Sequence, residues 1–303
     1  MEENHPQHEG SQPTHQHTTQ APKQKKPYRI MLLISLIILI FSVYVLVNNY
    51  TTTGDWVKKG LELRGGLSIA VKTTEEINVK SLESDLSKYG EITVKETSGF
   101  GGREIIIDGP SDIDSSKILD ELKLKNINTE KASIRSVSPT LGESFFSQIQ
   151  IGIIVAFILM GIVVFLLFRN FITPTSVILA AGTTLIETMA FMNVFGIELS
   201  LASFAALLML IGYSVDTDIL QSTRVFKGTE SVKERFRSSV ITGMTMTLTT
   251  IGVMAVLFIS NLNPVLTQIS AVLLIGLFVD MASTWLTNSG LLMWYMSRKG
   301  EEV

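Results

Sequence analysis

The chain has 303 residues, of which 46% are hydrophobic and 17% charged, and its mean hydropathy is +0.34. Soluble domains carry about 25% charged residues, so this composition excludes a purely soluble protein. The formal net charge of -3 provides no basic field for nucleic acid, and the absence of cysteine excludes disulfides, thiolate metal sites and cysteine nucleophiles.

Residues 1–29 form a tail rich in Gln, His, Pro, Thr and Lys. This composition buries too little apolar surface to offset the entropy of ordering, so we expect a disordered cytoplasmic tail. All four histidines lie in it, at His5, His8, His15 and His17. A solvated tail is favoured over a loose metal site. The rest of the chain has no histidine for a catalytic triad or a zinc site, and the sequence predicts neither metal nor cofactor.

Six apolar segments predict six membrane helices, grouped one plus five. The first, residues 30–47, is uncharged, long enough to span a bilayer and followed by no small-residue cleavage site, which distinguishes it from a signal peptide. The other five lie within residues 149–296, at 149–168, 177–195, 199–220, 240–259 and 265–296. The predicted fold is an α-helical polytopic membrane protein with a short cytoplasmic tail at residues 297–303.

Lysines and arginines in short loops indicate the orientation in the membrane. They flank the helices on one side only, at Lys23, Lys25, Lys26, Arg29, Arg169, Arg224, Lys227, Lys233, Arg235, Arg237, Arg298 and Lys299. The loops at 194–198 and 260–263 have none. We therefore expect both termini in the cytoplasm and residues 48–146 outside the cell membrane. Residues 229–239 fit either a basic amphipathic helix on the inner lipid surface or a charged loop.

Residues 48–146 form an external α+β domain in this interpretation. Residues 61–72 predict a strand with a break at Gly65 and Gly66, and residues 77–89 predict an amphipathic helix. Strands at 92–97 and 104–108 flank a glycine-rich turn, followed by a helix at 111–125 and a strand at 128–137. The order βαββαβ is that of a ferredoxin-like domain.

Four acidic residues lie within the predicted membrane helices and are candidates for a proton relay. They are Asp216 and Asp218 in the fourth span, Asp280 in the sixth and Glu187 in the third. An ionisable group near the bilayer centre costs at least ~2.5 kcal/mol, which makes a functional role the default hypothesis. Asp216 lies deeper than Asp218 and is the first choice for the protonatable group, and Gly243 and Gly252 of the fifth span would allow that helix to pack closely beside it. The alternatives are a headgroup position for Asp218 and hydroxyl partners for Asp280. The threonines of the fifth span fit either helix packing or a polar lining beside the acids.

The segment from Phe195 to Leu220 contains Gly-Ile-Glu, a run of Ala and Leu, and then Gly212-Tyr213-Ser214. In this order these features resemble the SecF members of the SecD/SecF family. The segment GLELRGGLS, which contains Gly65 and Gly66, is similar to that family's first external strand, and MTLTT, which contains Thr249 and Thr250, to its fifth helix. Thr217 and Thr242 replace an Asp and an Arg of the bacterial proteins, and both changes resemble archaeal members.

The resemblance implies an accessory subunit of the Sec protein translocase, and not an enzyme. The implied partners are a SecD-like subunit, the Sec translocation channel, unfolded secretory proteins and membrane lipid, with the proton gradient as the energy source. One alternative is half of a resistance-nodulation-division exporter of lipids or drugs, which shares this building plan. A remote alternative is an intramembrane aspartyl protease using Asp216 and Asp280, although GLFVD at Gly276–Asp280 departs from the Gly-x-Gly-Asp run of those enzymes.

Overall fold

The structure, a computed structural model, describes residues 27–73, 77–99, 102–125, 127–129 and 132–300. The tail that carries the four histidines lies outside these ranges. In chain order the elements are α1 (Pro27–Thr53), α2 (Leu61–Arg64), β1 (Gly66–Thr73), α3 (Val79–Leu86), β2 (Thr93–Gly99), β3 (Gly102–Gly109), α4 (Ser115–Leu124), β4 (Ser133–Val137), α5 (Pro139–Phe168), α6 (Ile172–Val194), α7 (Leu201–Lys227), α8 (Val232–Ser260), α9 (Pro264–Ser283) and α10 (Ser289–Arg298). A π-helical turn, Thr284–Asn288, joins α9 to α10.

Six helices in the described part of the chain are long and apolar enough to cross a membrane, which confirms the predicted architecture. They are α1, α5, α6, α7, α8 and the continuous unit formed by α9, the π turn and α10. The apolar side chains of α1 and α5 are largely exposed, whereas those of α6 and α7 are more often buried. The polar site described below therefore lies on the central helices.

Local capping explains where several membrane helices begin and end. The Ser138 side chain accepts a hydrogen bond from Leu141 N at the start of α5, and Pro139 occupies a first-turn position, where its missing N–H costs nothing. Arg169 ends α5 in the left-handed conformation, with φ 51°. Asn263 caps α9 ahead of a proline in the same way. These polar caps mark the true helix ends, and they lie outside the apolar segments recognised in the sequence. The helices are therefore longer than those segments.

The α+β domain has the predicted ferredoxin-like order. Its antiparallel sheet has the strand order β2-β3-β1-β4. One face carries Ile69 and Ile107, which pack with Leu82 of α3 and with Leu122 of α4 in a separate apolar core. Alternation along the strands turns Ser68 and its neighbours to the other face. The domain thus has one face covered by its own helices and one face without them.

The strand predicted from residue 61 begins five residues later, at Gly66. The short helix α2 occupies Leu61–Arg64, and Gly65 then turns the chain with φ 77°. A Cβ at Gly65 would lie 2.6 Å from Pro139 Cα, and one at Gly66 would lie 2.6 Å from Gly109 O. Both glycines are therefore required by close backbone approach, which explains the Gly-Gly pair without a role in chemistry.

The base of the α+β domain is attached to the loop before α7. Gly60 N donates to Leu199 O at 2.7 Å, and Leu199 N donates to Lys58 O at 2.7 Å. Glu62 Oε2 accepts from Leu201 N, in the first turn of α7, at 2.9 Å. From the sheet, the Lys95 ammonium pairs with Glu198 Oε1 at 2.8 Å. A displacement of α7 along its axis would therefore be transmitted to the sheet.

Residues 229–231 lie in a loop, and residues 232–239 belong to the start of a membrane helix. Helix α8 already begins at Val232, and Ser231 and Glu234 form a reciprocal capping box at its start. Arg224 Nη1 donates to Ser238 O at 2.7 Å, so this basic segment packs against the end of α7. The capping pattern Ser-x-x-Glu was present in the sequence and indicates a helix start at this position.

Candidate functional site within the membrane helices

Polar side chains of α7, α9 and the π turn meet inside the apolar bundle. Asp218 and Gln221 of α7, Asp280 of α9, Asn288 of the π turn and Ser289 of α10 are each between 0% and 1% exposed. We call these five residues the buried polar cluster. The same helices also bury apolar side chains and several hydroxyls, among them Ser214 and Thr284, so the cluster is enclosed within the helix bundle.

Asn288 is the hydrogen-bonding centre of the cluster. Its Nδ2 donates to Asp218 Oδ1 at 2.8 Å and to Gln221 Oε1 at 2.9 Å. Gln221 Nε2 in turn donates to Ser289 Oγ, and Ser289 Oγ donates to Thr284 O at 3.2 Å. The two acceptors fix the orientation of the Asn288 amide, because its oxygen could not replace Nδ2 as the donor. α7 and the last membrane unit are therefore joined by directional bonds.

Asp280 lies beside this hydrogen-bonded group and interacts electrostatically with Asp218. Thr184 of α6 donates to Asp280 Oδ1 at 3.5 Å, and the Ser214 hydroxyl lies next to the same carboxyl. Asp280 therefore has hydroxyl neighbours on other helices, as expected for the structural alternative. Such neighbours are also compatible with a functional role. Two carboxyl groups from different helices are brought together in one buried site.

Within the described ranges, neither aspartate has a cation as a partner, since every ion pair found there lies in the α+β domain or near its base. Asp218 Oδ2 and Asn288 Oδ1 are buried without a hydrogen-bond partner among those residues. The buried hydroxyls of Ser214 and Thr284 lie beside Asp280 and Asp218 respectively, but neither makes a well-formed hydrogen bond within the described ranges. The site therefore keeps several polar atoms available for a proton or for water.

The π turn sets the geometry of Asn288. Five residues, Thr284–Asn288, adopt i to i+5 hydrogen bonding between two α-helical segments. Such turns are rare and occur most often at functional sites. Ser35 of α1 and Thr287 in this turn share a hydrogen bond of 2.5 Å, which ties the turn to the first membrane helix. The distortion is thus held from both sides, by α1 and by α7.

Glu187 is also buried, at 2% exposure, but it lies on α6 apart from the cluster. It is one turn along the helix from Thr184, the donor to Asp280. Among the described residues, no hydrogen bond joins it to either aspartate. The structure therefore brings Asp218 and Asp280 together and places Glu187 nearby on the adjoining helix.

Asp216 lies on the opposite side of α7 from the cluster. It is exposed, as is Gly212 one turn before it, and nothing lies within 4 Å of a Cβ built on that glycine. Of the two fifth-span glycines expected beside Asp216, Gly243 packs instead against Trp285 and Thr217, and nothing lies within 4 Å of a Cβ built on Gly252. Two residues along an α-helix differ by about 200° in direction, so Asp216 and Asp218 point to different surroundings.

The remaining motif residues have mainly structural positions. Tyr213 is half-buried beside the apolar core. Thr249 and Thr250 both donate to Met246 O of their own helix, at 2.8 and 3.1 Å. Thr242 does the same to Ser238 O. These hydroxyls are satisfied by the backbone, so they do not line the acidic site.

Three members of the cluster were missed in the sequence. Gln221 lies one residue beyond the predicted fourth span, and Asn288 and Ser289 lie in the predicted sixth. An amide within an apolar span is itself a signal, because buried amides require partners. A search for uncharged polar residues, in addition to ionisable ones, would have found Gln221 and Asn288.

Comparison with known proteins gives consistent matches. The family model described as "Protein export membrane protein SecD/SecF, C-terminal" matches residues 117–298. A protein-export membrane protein SecF of Pyrococcus furiosus is 40% identical over 278 residues, 90% of this chain and 93% of the relative. Another SecF, of Methanolacinia petrolearia, is 38% identical over 89% of this chain and 95% of the relative.

A solved structure resembles this fold at lower identity. The crystal structure of SecDF, a translocon-associated membrane protein from Thermus thermophilus, matches with a TM-score of 0.71 and 18% identity. The match covers 89% of this chain and 38% of that one, so this chain spans well under half of the SecDF chain. The likeness supports the arrangement of membrane helices and α+β domain described above.

Replacement of Asn288 tests its position at the centre of the cluster. Asn288→Ala should lower the free energy of unfolding by about 1–3 kcal/mol, because Asp218 and Gln221 lose a buried donor. In the control Thr250→Ala, the lost hydroxyl bonds only its own helix, so the change should be smaller. Thermal unfolding in detergent measures both variants. Equal losses would contradict the assigned role of Asn288.

Proposed function

The chain belongs to the SecD/SecF family of protein-export membrane proteins, and we propose that its buried polar cluster couples a proton gradient to movement of the α+β domain. The protein is a multi-pass membrane protein with an accessory role in Sec protein export. In the proposed cycle, protons bind and leave Asp218 and Asp280, and secretory polypeptides leaving the channel are pulled or held from outside.

The observation that carries this proposal is the pair of neighbouring buried carboxyls, which have no cationic partner among the described residues. An ionised carboxylate in such a site costs several kcal/mol unless it is paired, and a second nearby carboxylate adds repulsion. Protonation removes the negative charge and favours the closed site. Opening the site to water favours the ionised carboxylate. The protonation state and the packing of α7 against α9 are therefore linked, which is the requirement for a proton-driven conformational change.

The route from the cluster to the α+β domain runs along α7. From Asp218 to Leu201 the helix extends about 26 Å at 1.5 Å per residue. At its far end, Leu201 N is bonded to Glu62, and the preceding Glu198 pairs with Lys95 of the sheet. A shift or rotation of α7 would thus reach the domain through two polar contacts.

Removing the titrating protons should abolish the coupling. Asp218→Asn and Asp280→Asn keep the size and the acceptor oxygen, so we expect normal abundance and loss of the export stimulated by an imposed proton gradient. The double variant should be no worse than either single variant, because groups that act as a unit are non-additive. Export of a secretory protein into membrane vesicles, with and without the gradient, is the measurement.

The control for this experiment is Asp120→Asn, which alters an exposed carboxyl paired with Lys123 on the surface of α4. It should leave export unchanged. Full gradient-dependent export by Asp218→Asn and Asp280→Asn at wild-type abundance would refute the relay. Glu187→Gln extends the test to the third buried acid, which we propose as a further proton carrier near Thr184.

The outward face of α7 supports contact with a SecD-like partner. Asp216 lies about 16 Å, eleven residues, from the end of α7 at Lys227, and it is exposed together with Gly212. A carboxyl at this depth normally faces protein or water, not lipid, and small residues allow close helix approach. We propose that a helix of the partner covers this face and that Asp216 joins the relay from there.

Purification in mild detergent tests the partner. Recovery of a SecD-like chain, weakened in Asp216→Asn, is the expected result. A second copy of this chain alone would favour the alternative of an exporter half. The protease alternative has no support in the positions of its two aspartates, since Asp216 is exposed and Asp280 is buried. We propose a non-enzymatic subunit that acts with the Sec channel and unfolded secretory proteins.

We propose that both termini and the α7–α8 turn lie in the cytoplasm and that the α+β domain lies outside, as the loop charges predict. The chain has no native cysteine, so any labelling by a thiol reagent comes from the single cysteine that is introduced. Leu262→Cys, exposed between α8 and α9, should react with an impermeant thiol reagent in sealed cells. Lys227→Cys should react only after the membrane is opened. The reverse pattern would overturn the orientation.

A further inference from the structure

The α+β domain has an open strand edge at β4. This strand pairs with β1 along one side, with Ile134 opposite Ile69, and has no strand on its other side among the described residues. Four of its five residues are exposed, including the apolar Ile134 at 47%. The outward backbone N–H and C=O groups of such an edge can pair with another extended chain.

A cleft adjoins this edge. It lies between the helix-free face of the sheet and the turn Asn261–Val265 that connects α8 and α9. Ser68 and Ala70 of β1 and Arg135 of β4 line a cavity of about 290 Å³ against that turn. A second cavity of about 450 Å³ shares Ser68 and Arg135 and continues toward Glu198. Side chains alternating from a strand added at β4 would enter this space.

The walls of the cleft combine small, charged and apolar groups. Ser68, Ala70 and Ser133 leave room close to the backbone. Charges of both signs are present, from Lys72, Lys95 and Arg135 and from Glu62, Glu104, Asp108 and Glu198. Leu262, 64% exposed, adds an apolar contact opposite the sheet. This mixture selects no particular side chain, so recognition would depend on the main chain of the ligand.

We propose that an extended segment of the polypeptide being exported binds along β4 as an added strand, with alternate side chains in the cleft. This inference rests on the proposed function. Addition of a strand to a free edge is an established mode of peptide recognition, in which main-chain hydrogen bonds supply affinity. Such binding tolerates many sequences, as a ligand class of unfolded secretory proteins requires.

The occupant is assigned from the length and position of the edge. Five residues of β4 span about 17 Å at 3.4 Å per residue, which suits transient pairing with a moving chain. The edge also lies directly above the ends of α8 and α9, on the side to which we assign polypeptide release. A partner domain seated on the same edge is the competing occupant, and the test below distinguishes it.

Site-specific photocrosslinking in the full-length protein, with its translocase and an arrested secretory polypeptide, tests the proposal. A crosslinker in place of Ile134 should give a product containing the polypeptide. A crosslinker in place of Leu124, an apolar residue of α4 that is 80% exposed, is the matched control and should give none. An added extended peptide should remove the Ile134 product, and the same peptide N-methylated at alternate residues should not.

The outcomes separate this inference from the proposed function. Equal products at Ile134 and Leu124, or products at Ile134 containing only a partner subunit, overturn the inference. Export stimulated by the gradient is measured in the same preparation without crosslinker. If that stimulation is absent, the proposed function fails whatever the crosslinks show. If stimulation is present and Ile134 gives no polypeptide product, only the β4 inference fails.

Discussion

The hydrogen bonds of Asn288 to Asp218 and Gln221 are the interaction on which the membrane part depends. Water is scarce in the bilayer interior, so polar side chains there must satisfy one another or remain at a cost of several kcal/mol. Asn288 supplies two donors to α7 from a turn that is itself tied to α1 through Ser35. The amide therefore positions α7 against the last membrane unit, and the neighbouring Thr287 attaches that unit to α1; apolar packing alone would not specify their register.

The same site is incompletely satisfied, and the proposed proton relay depends on this incompleteness. Asp218 Oδ2 and Asn288 Oδ1 have no partner in the described part of the chain, and Asp280 has a long contact from Thr184 beside the Ser214 hydroxyl. A fully paired network would hold the helices in one arrangement. In the mechanism that we propose, a proton or a water molecule changes the balance here, and the contacts of Glu62 and Lys95 at the far end of α7 carry the change toward the sheet.

The sequence was sufficient for the architecture, because long apolar runs and βαββαβ alternation are strong patterns. It also singled out the four acidic residues, since charges are conspicuous in such runs. Its first choice was Asp216, whereas the structure buries Asp218 and leaves Asp216 exposed, because the spacing of the two residues fixes only that they differ in direction. The π turn has no periodic signal, and the short helix at Leu61–Arg64 depends on close approach of Gly65 to Pro139, a tertiary contact.

The π turn also changes how the last membrane unit presents its side chains. In an uninterrupted α-helix, residues eight apart differ by about 80° around the axis, so Asp280 and Asn288 would diverge. The wider turn at Thr284–Asn288 inserts the equivalent of one extra residue and allows both to approach α7. Relaxation of that turn to regular α-helix would rotate α10 relative to α9 and withdraw Asn288 from Asp218. The π turn is thus a position at which rotation of α10 would be linked to the contact between Asn288 and Asp218.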